Sequence, residues 1–444
     1  MEVPDTYYAK TPDGVHIAYQ IVGDGPVDLV WFDGLRGNLE VMWEQPLVAT
    51  FLTELAQRCR VIRFDSRGTG LSDRGEQPPN LETQIDDART VLDIVGSQST
   101  TILGHNWGCS SASLFATTFP ERTRALILVA PSARNRWAPD YPWGFTEEEL
   151  AQSLWFIESG WGTEGAAARE ISFAAPSMVG DRDYTRWVAK MQRHWVGPNA
   201  ATILEQQFWD SDIRDVLRSV RVPTLVVARE WKEPEEDDYV ASLIPDARLE
   251  RLPGSDWIAW AGDRRSVVDA IHGFLDVKQP ASDVDSVLRT VLFTDIVGST
   301  ERQASLGDHA WKELVERHHA VVRDALGRWR GVENDTAGDG FYATFDGPAR
   351  AIRCAQEVVG RVRDLGIEIR AGVHTGECEL IDDKVGGITV SIGARVASNA
   401  GPSEVLISQT VKDLVAGSGL TFEDAGEHEL KGVPDRWRLY RVVG

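Results

Sequence analysis

Six short apolar runs, separated by longer stretches of helical periodicity, fill the first part of this chain, and this rhythm constrains its fold most. The runs lie at residues 28–32, 60–64, 100–103, 125–129, 224–228 and 248–252. Short strands that alternate with helices build βαβ units, so we expect an α/β domain with a mainly parallel sheet. We place this domain at residues 1–276.

One interval interrupts the rhythm, because residues 134–216 hold a long helical stretch between two strand-like runs. A helical insertion of this kind predicts a cap that lies over a cleft. The interval is rich in tryptophan, with Trp137, Trp143, Trp155, Trp161, Trp187, Trp195 and Trp209. These side chains either pack the core of the cap itself or line a pocket for an apolar small molecule, and the sequence leaves both open.

A second sequence style begins after a polar stretch that contains Pro280, which predicts a linker at residues 277–288 and a second domain at residues 289–444. The 444 residues also exceed what one hydrophobic core normally organises. We expect a strand at 290–293, a long helix at 299–329, a hairpin at 332–345, a helix at 348–365 and a strand at 369–374. Mixed strands, hairpins and helices are typical of an α+β fold.

The formal net charge of −22 argues against nucleic acid or an anionic membrane as a partner. An anionic substrate would need bound cations to mask its charge. The four cysteines have no CxxC spacing, which favours reduced, buried thiols. No apolar stretch has the length of a signal peptide core or a membrane span, so we expect a cytoplasmic protein.

Two aspartates of the second domain lie at positions that suit metal ligands. Asp295, in FTDIVGST, lies where a strand gives way to a helix, and Asp339, in TAGDGFYATF, lies in a glycine-flanked turn. Either aspartate alone would also fit a turn or a helix cap. Together they predict a divalent-cation site, and the N–H groups of Gly298, Ser299 and Thr300 at a helix start predict an anion cradle beside it.

The stretches FTDIVGST, TAGDGFYATF, RAGVHTGE and VSIGARVAS resemble, in this order, the catalytic domain of class III adenylate and guanylate cyclases. The resemblance covers about residues 289–444 and implies a ferredoxin-like core. It also implies a homodimer that converts ATP to cyclic AMP, with two Mg²⁺ or Mn²⁺ ions per active site. The implied metal ligands are Asp295, Asp339 and the carbonyl of Ile296.

The same resemblance assigns Arg395 as the arginine that stabilises the transition state, and Lys431 either as a phosphate-binding lysine or as a solvated turn lysine. Three other positions depart from the family pattern. Asp335 stands for the adenine-selecting lysine, Lys384, next to Asp383, stands for the purine-selecting aspartate, and Ser391 stands for the transition-state asparagine. We therefore expect a slow cyclase that accepts both ATP and GTP. The alternative is a non-catalytic, cyclase-like dimer.

The stretches FDGLRGNLEVMWEQP, RFDSRGTGLSD and LGHNWG resemble the α/β-hydrolase fold over about residues 8–276. In the nucleophile elbow Asn106 stands for the nucleophile, while Trp257 and Lys232 stand for the histidine and the acid of the triad, unless Glu230 or Glu233 serves as a shifted acid. We expect His105 to line the pocket. A hydrolase without nucleophile and base cannot run the triad mechanism, so we expect an inactive domain with a regulatory or scaffolding role.

Two alternatives for the whole chain remain open at this point. One is a catalytically dead two-domain sensor of a small molecule. The other is an α/β hydrolase with a non-standard triad. An assay for cyclic nucleotide formation separates the favoured function from both.

Overall fold

A computed structural model describes residues 3–34, 37–75, 79–230, 233–277, 286–381 and 384–443. Their helices and strands belong to two compact units, with every element up to residue 276 in the first unit and every element from residue 286 in the second. No helix within these ranges is both long enough and apolar enough to cross a membrane.

The first unit contains one eight-stranded sheet. Its strands are β1 (Tyr7–Lys10), β2 (His16–Val22), β3 (Val27–Asp33), β4 (Cys59–Phe64), β5 (Thr100–His105), β6 (Thr123–Val129), β7 (Thr224–Arg229) and β8 (Arg248–Leu252). They are ordered β1-β2-β4-β3-β5-β6-β7-β8, and β4 through β8 form a parallel section. The six predicted strands are confirmed as β3 to β8.

The antiparallel strands β1 and β2 extend this sheet at one edge and were not predicted. Gln20 interrupts the apolar run of β2 and hides it from a search for short apolar strands. The Gln20 side chain is nevertheless buried, because its oxygen accepts a hydrogen bond from Trp43 Nε1 at 2.9 Å. The polar residue is thus paired inside the core, as buried polar groups must be.

Ten helices cover the sheet of the first unit among the described residues. They are α1 (Pro46–Leu55), α2 (Leu81–Ile94), α3 (Gly108–Thr118), α4 (Glu147–Gly160), α5 (Glu164–Ala174), α6 (Arg182–Trp195), α7 (Pro198–Asp210), α8 (Arg214–Arg218), α9 (Pro234–Leu243) and α10 (Arg264–Asp276). Helices α4 to α8 follow one another between β6 and β7, where the cap is expected. Thr146 starts α4 through a reciprocal capping box with Glu149.

The second unit also contains one sheet with helices on both faces. Its strands are β9 (Ser286–Ile296), β10 (Val332–Ala337), β11 (Gly340–Phe345), β12 (Ile369–Ile381), β13 (Lys384–Gly386), β14 (Val405–Ser408), β15 (Thr421–Glu429) and β16 (Arg436–Val443). Its helices are α11 (Ser299–Leu306), α12 (Asp308–Arg328), α13 (Pro348–Val362), α14 (Ile388–Asn399) and α15 (Gln409–Leu414). The strand order is β10-β11-β9-β12-β14-β16-β15, with β13 paired to β12.

The expected ferredoxin-like core is formed by the succession β9, α12, β10, β11, α13 and β12. The four strands of this βαββαβ unit lie in the order β10-β11-β9-β12, and each neighbouring pair is antiparallel. The predicted helix at 299–329 is wrong as a single element. Gly307 divides it, because its φ of +78° ends α11 and its N–H closes the last turn onto the Gln303 carbonyl at 2.9 Å.

Alternate residues of β9 point to opposite faces of the sheet, and each face is covered by different helices. Leu292 and Ile296 belong to the core that contains residues of α12 and α13. Val291 points to α14 instead, since a Cβ atom on Gly393 would lie 2.4 Å from Val291 Cγ2. By this alternation Asp295 belongs to the face that carries α14.

Candidate active site

The structure brings Asp295 and Asp339 together, as predicted. Asp295 is near the end of β9, and Asp339 lies in the tight turn between β10 and β11, which pairs with β9. The N–H of Ile296 donates a hydrogen bond to Oδ2 of Asp339 at 3.1 Å. Burial and the nearby charge of Asp295 raise the pKa of Asp339, and hydrogen bonds that include one from Ser299 partly offset this rise. The two carboxylates are therefore close enough to repel each other.

Arg370 is a site residue that the sequence interpretation missed. It lies directly opposite Asp295 in the pairing of β12 with β9. Its Nη2 and Nε atoms donate to Oδ2 of Asp295 at 2.6 and 3.2 Å. The motif RAGVHTGE contains this arginine, but only the strand register places it beside the aspartate. Two charge-assisted hydrogen bonds to one oxygen thus hold the Asp295 carboxylate.

The helix start at which we expect an anion to bind lies beside the two aspartates. Gly298 adopts a φ of +66° and precedes the first turn of α11, which begins at Ser299. Thr300 is exposed, and Ser299 is partly exposed and hydrogen-bonds Asp339. The start of α11 therefore presents free backbone N–H groups next to the aspartate pair, as a helix start does for a phosphate.

Arg395 and Ser391 form a second group on α14. They are one helical turn apart, and both are exposed on the side of α14 that faces away from the sheet. Nε of Arg395 donates to the backbone carbonyl of Lys431 at 3.1 Å, so the structure brings Arg395 and Lys431 together. Lys431 is itself exposed in the connection between β15 and β16.

The structure does not join the two groups within one chain. No hydrogen bond or ion pair among the described residues connects Asp295 or Asp339 with Arg395 or Lys431. The turn that holds Asp339 belongs to the β10–β11 pair at one edge of the sheet, and Lys431 belongs to the β15–β16 pair at the other edge. Four interstrand spacings separate β11 from β16, which amounts to roughly 19 Å.

Asp335 lies in a row of cross-strand neighbours beside the aspartate pair. It is exposed on β10 and lies opposite Tyr342 of β11, which in turn lies opposite Phe293 of β9. The rings of Tyr342 and Phe293 stack at 4.7 Å with an angle of 3°. Of the other base-selecting candidates, Lys384 begins β13, and Asp383 is outside the described residues.

The donor set at the aspartate pair fits a hard divalent cation. No cluster of three or more His, Cys, Asp or Glu side chains that could hold a metal occurs in the described part of the chain. The candidate ligands are therefore two carboxylates and the carbonyl of Ile296. Oxygen-only ligands suit Mg²⁺ and Mn²⁺, and a cation between two repelling carboxylates lowers their mutual repulsion.

The nucleophile elbow of the first unit keeps its backbone shape without its nucleophile. Asn106 follows β5 with a φ of +50°, a left-handed conformation that asparagine tolerates better than most residues. Its side-chain oxygen accepts a hydrogen bond from the N–H of Trp107 at 2.8 Å. This N–H is the one that would face an oxyanion in a working elbow, so the asparagine side chain caps it.

The loop that carries Trp257 is bound to the body of the first unit. His105 is buried, and its Nε2 atom lies 3.1 Å from the Trp257 carbonyl and 3.2 Å from the Ala259 nitrogen. The expectation that His105 lines the pocket is therefore wrong, because its ring is used to hold this loop. Lys232 lies outside the described residues, and both Glu230 and Glu233 are exposed.

Arg229, at the end of β7, also binds the loop that carries Trp257. Its guanidinium donates to the backbone carbonyls of Asp256, Ile258, Ala261 and Asp263, at distances of 2.9, 3.4, 3.0 and 2.7 Å. The Arg229 side chain is buried. The segment where a triad histidine would stand is therefore fixed by a buried charge that the sequence did not reveal.

A cavity lies at the carboxyl ends of β3, β4 and β5, under α6 and α7 of the cap interval. Trp195 and Phe208 line it from the cap side, and Trp107 stacks on Phe208 at 4.2 Å. Trp161 instead packs against the small apolar core of the cap, which includes Ile157. Some cap aromatics thus line a cavity and others pack the core of the cap, and Trp195 does both.

Comparisons with known proteins separate the two units in the same way. Residues 29–255 match the family model of the alpha/beta hydrolase fold, and residues 280–444 match that of the adenylate and guanylate cyclase catalytic domain. The esterase EaEST from Exiguobacterium antarcticum superposes with a TM-score of 0.53 at 19% identity, over 61% of this chain and 99% of the esterase.

Two relatives each match a little more than a third of this chain. The receptor-type adenylate cyclase GRESAG 4.3 of Trypanosoma brucei brucei is 26% identical over 37% of this chain. A protein of Mycobacterium bovis is 31% identical over 38% of this chain. The chain spans 17% of the length of the first relative and 60% of the length of the second.

Proposed function

Because this chain belongs to the alpha/beta hydrolase fold family and carries an adenylate and guanylate cyclase catalytic domain after it, we propose that it cyclises ATP to 3′,5′-cyclic AMP as a homodimer. The observation that carries the proposal is the convergence of Asp295 and Asp339 beside the start of α11. The hydrolase-like unit has a regulatory or scaffolding role in this proposal.

Asp295, Asp339 and the Ile296 carbonyl would hold two Mg²⁺ or Mn²⁺ ions. When bound, such cations lower the pKa of the ribose 3′-hydroxyl and offset the charge of the triphosphate. Arg370 keeps the Asp295 carboxylate oriented and adds a positive charge at the same place. The N–H groups of Gly298 and Ser299 provide further donors for phosphate oxygens.

The reaction forms a bond between the 3′-oxygen and the α-phosphorus and breaks the bond from the α-phosphorus to the oxygen that bridges to the β-phosphate. The hydroxyl proton passes to solvent, and pyrophosphate leaves. Negative charge develops on the α-phosphate oxygens in the transition state. A fixed guanidinium such as that of Arg395 stabilises this charge, and the ammonium of Lys431 binds the leaving phosphates.

A dimer would bring an acidic group and a basic group into the same site, which one chain does not do. Asp339 of the acidic group lies in the turn between β10 and β11 at one edge of the sheet, and Lys431 of the basic group lies between β15 and β16 at the other edge. In a two-fold dimer every contact between the chains occurs twice. If the acidic group of one chain meets the basic group of its partner, the basic group of the first chain also meets the acidic group of the partner. Such a dimer forms two composite sites, each with one acidic and one basic group.

The positions that would select the purine base depart from the pattern of the cyclase family. Asp335 and Lys384, the latter next to Asp383, replace the usual side chains that read the purine, and the Ser391 hydroxyl replaces an amide. Lost hydrogen bonds to the base reduce discrimination between purines more than they reduce the rate of the chemical step. We therefore propose a slow cyclase that turns over GTP as well as ATP.

The test is an assay of the full chain with Mn²⁺ and either ATP or GTP, with separation of cyclic nucleotide and pyrophosphate. We expect cyclic AMP and pyrophosphate in equal amounts, dependent on the divalent cation. A chain that binds nucleotide without forming a cyclic product would instead be a sensor that has lost catalysis.

We predict that two inactive variants complement each other. Asp295→Ala and Arg395→Ala chains, co-expressed in equal amounts, form heterodimers in half of the pairings, and each heterodimer has one intact composite site. The mixture should recover about a quarter of the wild-type activity. The measurement is cyclic AMP formation by co-purified chains that carry different affinity tags.

The matched control is the pair Asp295→Ala and Asp339→Ala. Both substitutions damage the acidic group, so every dimer of this mixture lacks an intact site and should stay inactive. Equal recovery in both mixtures, or none in the first, would show that the active site is not shared between chains.

We also predict that the hydrolase-like unit is silent toward 4-nitrophenyl acetate, simple epoxides and haloalkanes. Asn106 offers no nucleophile, and the loop of Trp257 offers no base. Asn106→Ser should remain at the background rate, because triad members act as a unit. An ester hydrolysis rate that falls on Asn106→Ala substitution would contradict the assignment.

A further inference from the structure

Polar side chains outside the nucleophile elbow line the cavity of the first unit. Trp31 of β3 and Arg63 of β4 line it on the sheet side, opposite Trp107 and Phe208. At the elbow, the N–H of Trp107 is already used by the Asn106 side chain. A ligand in this cavity must therefore find its polar partners elsewhere.

Arg63 is buried without an adequate acceptor. Its exposed fraction is 3%, and its Nη1 atom has no hydrogen-bond partner in the described part of the chain. Among the described residues, Nη2 donates to the thioether sulfur of Met42 alone, at 2.9 Å, and this sulfur is a weak acceptor. Because a buried donor without an acceptor is costly and rare, this guanidinium indicates a partner that binds from the cavity.

Trp31 presents a second donor of the same kind. It is 1% exposed, and its indole Nε1 has no hydrogen-bond partner among the described residues. The guanidinium carbon of Arg63 lies 5.5 Å from the centre of the Trp31 ring, so the two donors belong to one small region. A single carbonyl oxygen has two lone pairs and can accept from both.

The charges around Arg63 decide between a neutral and an anionic ligand. Asp33 and Asp65 both interact electrostatically with Arg63. Asp65 also accepts hydrogen bonds from the N–H groups of Leu39 and Leu71 at 3.3 and 2.9 Å, and burial raises its pKa to about 7. Two acidic side chains already lie near the one guanidinium, so a ligand carboxylate would meet other acidic groups in a buried place.

We infer that the cavity under the cap is a receptor site for a neutral, mainly apolar small molecule whose carbonyl oxygen binds Arg63 and Trp31. The aromatic side chains of Trp107 and Phe208 supply the apolar contact. Binding occurs without turnover, since the polar anchor lies on β3 and β4 and the elbow N–H stays capped. The inference does not depend on the cyclase reaction.

Three probes of similar shape test the inference on the full chain. These are 4-phenyl-2-butanone, which has a neutral carbonyl, butylbenzene, which has no acceptor, and 3-phenylpropanoate, which has a carboxylate. Binding is measured by quenching of tryptophan fluorescence and by the shift of the thermal unfolding midpoint. We expect the ketone to bind at least about tenfold more tightly than either other probe, as for one hydrogen bond from a charged donor.

Two variants locate the contact. Arg63→Met should weaken ketone binding about tenfold and leave butylbenzene binding unchanged, and Trp31→Phe should weaken it by a smaller factor. An apolar side chain in place of a buried charge without a full partner is tolerated by the fold. Arg124→Met, an exposed arginine of the same sheet, is the matched control and should leave all three affinities unchanged.

Several results would overturn the inference. They are equal affinity for ketone and butylbenzene, tightest binding of the carboxylate, binding of none of the probes, or an Arg63→Met chain that binds the ketone as well as the Arg124→Met chain does. Because all readouts report binding to the first unit, failure here leaves the cyclase proposal untouched, and failure of the cyclase assay leaves this inference untouched.

Discussion

Asp295→Ala and Asp339→Ala should each lower the rate of cyclic AMP formation by at least about a thousandfold. The two carboxylates are the charged ligands of the proposed cation site, and neither can be replaced by a neighbour. Arg370 is the other charged group at Asp295, and it cannot bind a cation. The variant chains should keep their fold, because Asp339 repels Asp295 and the loss of either carboxylate relieves this repulsion.

The measurement is the initial rate with saturating Mn²⁺ and ATP, next to a circular dichroism spectrum of each variant. Asp364→Ala is the matched control, since Asp364 is an exposed carboxylate in the same unit. Its rate should equal that of the wild-type chain. A folded Asp295→Ala chain that keeps a tenth of the wild-type rate would contradict the proposed metal site.

Arg229→Ala should destabilise the first unit by about 3–5 kcal/mol, because buried carbonyls that lose a charged donor cost about 1–3 kcal/mol each. Four backbone carbonyls of the loop from Asp256 to Asp263 lose their donor. Water can reach only part of this buried place, so some of the carbonyls stay without a partner. The same loop holds His105, and its release should loosen the end of β5 as well.

The midpoint of urea unfolding, followed by tryptophan fluorescence of the full chain, measures this effect. Arg248→Ala is the control, because Arg248 is about half exposed and its ion pair is with Glu250 on the same strand. Exposed pairs of this kind contribute at most about 1 kcal/mol. Equal midpoints for the two variants would show that the four hydrogen bonds of Arg229 contribute little.

The parts of the fold that follow local rules could be predicted from the sequence. The central strands β5, β6 and β7 are almost wholly buried and mainly apolar, because parallel strands inside a sheet are covered on both faces. The aspartates were identified because strand ends and glycine-flanked turns have a local signature. The break at Gly307 was missed, since residues on both sides keep helical periodicity and only the left-handed φ of the glycine ends α11.

The parts that depend on contacts between distant segments could not be predicted. Arg370 meets Asp295 through the register of two strands that are far apart in sequence. Arg229 and His105 meet the loop of Trp257 through tertiary packing, and neither residue has a local pattern that reveals its partner. In the sequence, Arg63 and Trp31 look like ordinary strand residues. Only the structure shows that Nη1 of Arg63 and Nε1 of Trp31 have no hydrogen-bond partner among the described residues.

The tight seating of α14 on the sheet has a consequence for control of the proposed enzyme. A side chain on Gly393 would collide with Val291, and a side chain on Gly372 of β12 would lie 2.4 Å from the Cα atom of Ala397. The helix is thus locked at two points about one turn apart, and it cannot slide or rotate while the sheet is intact. The helix that carries Arg395 is therefore held rigidly against the sheet. In the proposed homodimer, a regulator would change turnover by altering how the two chains approach each other, because reshaping the helix that carries Arg395 would require the sheet itself to open.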